Sequence, residues 1–210
     1  MKLAKRISLV TVGIAAAMAI FGVSSALAIG STALCQGNEL VCLAGNTYAA
    51  GTTVQALSTN VKFLSSIGTV ACTHSIVKGK TLEALSNPLK ILLEEFDFLG
   101  CKLGATLCNV SLLGFGHLDF LKLATNLGSA TFLNMSIRIQ CGGLVNCTAS
   151  GSPVLHLLGT GGAGGESEAE PEEEAKELEF EEITGFACPK VVKWDVTYFI
   201  SQPTPMYIAL

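Results

Sequence analysis

Few residues in this chain have the type and spacing to do chemistry, and each of them needs partners. Ser75-Ile76-Val77-Lys78 has the SxxK spacing in which a lysine helps to activate a serine nucleophile. That chemistry also needs SDN and KTG motifs and a serine that opens a helix; neither motif is present, and Ser75 stands in strand-like sequence. Gly79-Lys80-Thr81 ends like a phosphate-binding loop, but the position that must be Gly at its start is His74, so the cradle of backbone N–H groups is missing. His117 and Asp119 are two residues apart and share a face if their segment is a strand, a spacing that suits a His–carboxylate pair. No nucleophile is signalled beside them. His74, His117 and His156 form no HxxxH or HExxH, so they read as sheet histidines and not as metal ligands. Asn109-Val110-Ser111, Asn134-Met135-Ser136 and Asn146-Cys147-Thr148 match the glycosylation sequon and read as chance matches. The sequence therefore predicts no catalytic, metal or cofactor site.

Cysteine is the one reactive type present in quantity. Cys35, Cys42, Cys72, Cys101, Cys108, Cys141, Cys147 and Cys188 make an even set without a CxxC, which reads as four disulfides of an exported chain and not as a zinc or thioredoxin-like site. Spacing favours three tight loops, Cys35–Cys42, Cys101–Cys108 and Cys141–Cys147. Each encloses Gly or Asn residues that let a chain reverse, and Cys72 is left to pair with Cys188.

Export is also written at the N-terminus. Lys2, Lys5 and Arg6 precede an apolar run from Leu9 to Val23, and Ala26-Leu27-Ala28 offers the small residues a signal peptidase requires. The run falls short of the roughly 18–20 residues of a membrane span. Residues 1–28 are read as a signal peptide cleaved between Ala28 and Ile29, an uncleaved anchor being the alternative. Residues 29–210 are read as one domain, secreted or at the cell surface and without a membrane span. Its loss of three basic residues and no acidic one leaves a net charge of −7. Ten Glu lie between Glu166 and Glu182, so the rest is nearly neutral and has no basic stripe for a nucleic-acid backbone.

The positioning elements read as strands. Leu133, Met135, Ile137, Ile139 and Cys141 alternate with polar residues, as do Val192, Trp194, Val196, Tyr198 and Ile200. Residues 54–63, 69–77, 107–113, 116–123 and 154–158 are shorter candidates bounded by turn formers, and together they predict an all-β antiparallel sandwich or barrel. Asn87-Pro88 and the run to Phe96 fit a helix opened by proline or a strand, while Phe96–Cys101 alternates as a strand. Residues 159–182, rich in Gly and then Glu, are read as a flexible solvated loop inside the domain.

A chain of landmarks adds to this. Leu34-Cys35, Cys42, Asn46-Thr47-Tyr48, Ala50-Gly51-Thr52, Val70-Ala71-Cys72 with Ser75, Gly79-Lys80-Thr81 and Phe98 with Cys101 come in order. Cys141 with Asn146-Cys147-Thr148, Cys188-Pro189, Trp194, Thr197-Tyr198, Pro203, Pro205 and Tyr207 follow. This order resembles a family of uncharacterised exported bacterial proteins, numerous as paralogues in soil bacteria. The resemblance implies a β-rich fold and carries no activity or catalytic residue. The acidic insert and the Leu-rich middle depart from that pattern. The expectation is a non-catalytic extracellular structural or binding module, acting on cell-envelope components or another protein. A secreted hydrolase whose site assembles only in the fold is the alternative.

Overall fold

The computed structural model describes residues 31–114, 116–124, 127–159, 167–170, 178–180 and 182–209. The predicted signal peptide and its Ala28–Ile29 junction lie outside them. Among the described residues there are twenty strands and no helix. The first seven are β1 (Thr32–Cys35), β2 (Thr53–Ser58), β3 (Val61–Ser65), β4 (Gly68–Cys72), β5 (His74–Thr81), β6 (Leu85–Ser86) and β7 (Leu89–Leu99). Then come β8 (Lys102–Leu103), β9 (Thr106–Leu112), β10 (His117–Ala124), β11 (Leu127–Phe132), β12 (Met135–Cys141), β13 (Val145–Gly151) and β14 (Val154–Gly159). The last six are β15 (Ser167–Glu170), β16 (Leu178–Glu179), β17 (Glu182–Phe186), β18 (Val192–Val196), β19 (Tyr198–Gln202) and β20 (Tyr207–Ala209).

The chain is all-β, and its pairings are antiparallel in two tiers. One tier runs β2–β5–β7–β10–β11–β14–β15–β19 and returns to β2. The other runs β16–β18–β3–β4–β8–β9–β12–β13–β17 and stays open between its two ends. The sheets therefore curl into a half-barrel. Consecutive strands such as β2 and β3, or β18 and β19, share no register: β2 pairs with β5 and β19, and β3 with β4 and β18. They continue one long strand from tier to tier across a short joint. At one joint Asn134 takes φ +52°, a left-handed conformation that Asn tolerates better than most residues. A third, small sheet of β20, β1 and β6 lies at one end of the barrel, where the Lys122 N–H donates to Thr32 Oγ1 at 3.2 Å.

Strict alternation fills the interior. Val192, Trp194, Val196, Tyr198 and Ile200 all point inward, as do Met135, Ile137, Ile139 and Cys141. The sequence pattern extended the second set to Leu133; the joint shifts the phase there, and Phe132 is buried in its place. Trp194 sits among the rings of Phe63, Phe96, Phe98, Phe132 and Tyr198, with centroids 5.6–6.4 Å away. An interior of this size is about wide enough for side chains to fill, and aromatic side chains fill this one.

The ambiguous segment is strand throughout, as β7. Leu89, Ile91 and Leu93 face inward, then Phe96 and Phe98. Lys78 lies opposite Glu95 and Gly79 opposite Leu93, so Glu94 is the extra residue of a bulge. The bulge changes the inward phase by one, and that break in period is what made the sequence look helical. Gly79 is required at this point, because a Cβ there would lie 2.6 Å from the Leu92 carbonyl oxygen.

Of the four predicted cysteine pairs only Cys35–Cys42 forms. The others are Cys72–Cys101, Cys108–Cys141 and Cys147–Cys188. Spacing sees only the hairpin partner of a strand, whereas each strand has a second neighbour. Cys108 stands directly opposite Cys141 across β9 and β12. Cys147 faces Ile139 on its hairpin side, away from Cys141, and Gly185 on the other, close to Cys188. Gly185 adopts φ +124°, and a side chain there would collide with the Asn146 carbonyl and crowd Cys188 Sγ. Four disulfides fit a chain that matures in an oxidising environment.

Within the segment expected to be a solvated loop, the described parts are strand. β15 pairs with β14 and β19, β16 pairs with β18, and Phe180 is buried against the core. The remainder of that segment lies outside the described residues.

Candidate functional site

Strand geometry separates most of the residues singled out for chemistry. Ser75 and Lys78 are three apart on β5, so they project to opposite faces. Ser75 is fully buried, and its hydroxyl hydrogen-bonds the Tyr198 hydroxyl at 2.7 Å. Burial pushes the Tyr198 hydroxyl far above its ordinary range, and the bond to Ser75 offsets only part of this. The serine is thus a core hydrogen-bond partner. Thr81, at the end of the phosphate-loop look-alike, donates to the Ala49 carbonyl at 3.0 Å and accepts from the Thr52 N–H at 3.0 Å. Its hydroxyl closes a turn.

The histidines do not converge. His74 is exposed beside Thr73 Oγ1 at 3.2 Å. His117 and Asp119 share the outer face of β10, as their spacing implied, but His117 lies opposite Leu92 and Asp119 opposite Lys90 and Thr131. Asp119 Oδ1 is buried with no hydrogen-bond partner among the described residues. One juxtaposition was not visible in the sequence. Register places Ser129 of β11 directly opposite His156 of β14, and Asp119 lies on the next strand of the same outer face. Among the described residues no three His, Cys, Asp or Glu side chains gather as a metal site. The sequon residues Asn109 and Asn134 are exposed, and Asn146 Oδ1 accepts from Arg138 Nε at 3.1 Å.

The feature that stands out is one end of the barrel. Four connections meet there, those between β3 and β4, β8 and β9, β12 and β13, and β17 and β18. These connections and the strand ends beside them bring Ile67, Leu107, Leu144, Phe186 and Val191 to the surface. Leu144, Phe186 and Leu107 are the most exposed large apolar residues described, at 74%, 71% and 70%. The connections converge, since Ile67, Val145 and Pro189 line one small internal space. Beside them an open cleft of about 430 Å³ is lined by Leu64, Ser65, Ser66, Lys190, Val191 and Lys193. No Asp or Glu occurs in residues 65–69, 101–108, 141–146 or 184–193, whereas Lys102, Lys190 and Lys193 do. The sequence carried a signal for this end that alternation alone does not weigh. Its large apolar residues sit next to the turn glycines Gly68, Gly104, Gly142, Gly143 and Gly185, where a solvated turn has no use for them.

Comparison of the chain with protein-family models, curated proteins and solved structures found no match. No helix among the described residues is long and apolar enough to cross a membrane.

Proposed function

We propose that the chain is an exported, non-catalytic module of the cell surface or extracellular space that works by binding through its surface. The observation that supports this reading is the contrast between the aromatic-filled interior and the apolar hairpin end. A filled interior leaves the outside of the barrel for recognition, and the three most exposed large apolar side chains stand together at the hairpin end, as on such a surface. Export rests on the signal sequence and fits the four disulfides. N-terminal sequencing of the secreted protein is expected to return Ile29; Met1 material held in the membrane fraction would favour the anchor.

A second reading, a hydrolase, is favoured by one observation, the register that sets Ser129 directly opposite His156, a hydroxyl beside a candidate base. A panel of esterase, glycosidase and peptidase substrates separates the two. The module reading expects no turnover above that of the Ser129→Ala and His156→Ala variants. Turnover that disappears in both variants would replace it with the hydrolase.

A further inference from the structure

We infer that the hairpin end is a docking surface for an anionic lipid bilayer, with the apolar tips entering the headgroup boundary and the lysines meeting the lipid charge. The inference rests on the binding-module reading and names its partner. Leu107 near the start of β9, Leu144 between β12 and β13 and Phe186 at the end of β17 stay exposed although the strands behind them are packed. Apolar tips at the end of a rigid barrel suit a soft, planar partner into which each can sink separately.

Charge points the same way. No Asp or Glu lies in these connections or in the strand ends beside them, whereas Lys190 lies in one and Lys102 opens β8; Lys193, in β18, stands opposite Glu179 of β16. Lys102 and Lys190 are exposed, and Lys190 and Lys193 line the open cleft with Ser65 and Ser66. Lysines with hydroxyls beside apolar tips provide donors for headgroup phosphates and carboxylates at the level where the tips enter.

A second copy of the chain fits less well. An isologous contact would bring this same lysine set against itself. The five exposed apolar side chains also offer on the order of 500 Å², below the ~800 Å² per partner of a stable protein interface.

The test uses the secreted, oxidised protein, its mature N-terminus verified, in co-sedimentation with vesicles of phosphatidylcholine alone or with about a third phosphatidylserine. Binding is expected on the anionic vesicles. It should weaken about fivefold for each of Lys102→Gln and Lys190→Gln, and about tenfold or more in the triple variant Leu107→Ser, Leu144→Ser, Phe186→Ser. Near-ultraviolet circular dichroism checks that the triple variant is folded; should it not be, single Leu144→Ser, at the most exposed position, replaces it and is expected to weaken binding measurably. Absence of wild-type binding, equal binding by the apolar variants, or a wild-type dimer that the same variants dissociate would overturn the lipid assignment. None of those results touches the non-catalytic reading, which fails only if substrate is turned over.

Discussion

At one end of the half-barrel β1 lies with all four residues buried, its Leu34 reaching the main core, and the β20–β1–β6 sheet closes the opening. Polar ties hold that closure, with Lys122 Nζ donating to the Ile208 carbonyl at 2.7 Å and the Tyr48 hydroxyl to the Pro205 carbonyl at 2.8 Å. Among the described residues the other end has no such sheet. Its connections and strand ends present Leu107, Leu144 and Phe186 to solvent, and three of the four disulfides cross-link the tier of strands behind it. The difference shows two ways of finishing a barrel. Burial closes one end, although Leu40 and Leu43 of the β1–β2 connection stay exposed beside it, while covalent links hold the other and leave the side chains at its tip in solvent.

The largest effects expected are those of the cross-links. On the chain-entropy reckoning, Cys147–Cys188, spanning 41 residues, contributes roughly 3.9 kcal/mol, while Cys35–Cys42, spanning 7, contributes roughly 2.4 kcal/mol. Denaturation of the two double Cys→Ala variants should therefore rank the hairpin-end link above the cap link. Peptide mapping without reduction should return Cys72–Cys101, Cys108–Cys141 and Cys147–Cys188. A Cys101–Cys108 peptide would break the comparison, because the strands could then not be paired as described.

Side-chain truncation should run the other way. Leu34→Ala in the cap removes a side chain that is 1% exposed and is expected to cost about 2–5 kcal/mol. Leu144→Ala at the open end should change stability by no more than about 0.5 kcal/mol. Equal costs would mean that the open end is packed, and the surface reading would lose its basis.

How much of this was legible in the sequence depends on the range of the interactions. Alternation is local, so Val192–Ile200 and Met135–Cys141 were read on the correct face. Residues 54–63 and 69–77 were also seen as strand, although the joints that pass each from tier to tier were not. β7 was obscured by a bulge, which needs the partner strand to be recognised. The disulfides failed where the partner lay on the far neighbour, as for Cys108 and Cys141, since 33 residues separate two positions that register makes adjacent. The same limit hid Ser129 beside His156. The apolar end was hidden for another reason. Leu144 and Phe186 read as ordinary hydrophobic residues until the fold shows that no described residue covers them.

The effect that emerges only at alkaline pH concerns the core between the two ends. Tyr198 follows Thr197, the joint where the long strand β18–β19 passes from the open-end tier to the capped one, and its hydroxyl is buried against Ser75. Burial raises its proton affinity, so the folded protein keeps that proton where an exposed tyrosine would lose it. The unfolded chain releases the proton near pH 10. Above that pH the unfolded state binds fewer protons than the folded one, and stability falls as pH rises, by about 1.4 kcal/mol per pH unit. Below it the contribution is fully present and independent of pH. Denaturation measured between pH 8 and pH 11, as about the range that brackets this tyrosine, should show the decline begin near pH 10 in the wild type. Tyr198→Phe should flatten that slope at a cost of only about 1 kcal/mol at neutral pH, the worth of one hydrogen bond. Tyr48 is also raised by burial, but it lies in the exposed part of the cap, so Tyr48→Phe should leave most of the slope in place. A slope that vanishes with Tyr48 and persists without Tyr198 would place the alkaline weak point in the cap, and the aromatic core would not be the part common to both ends.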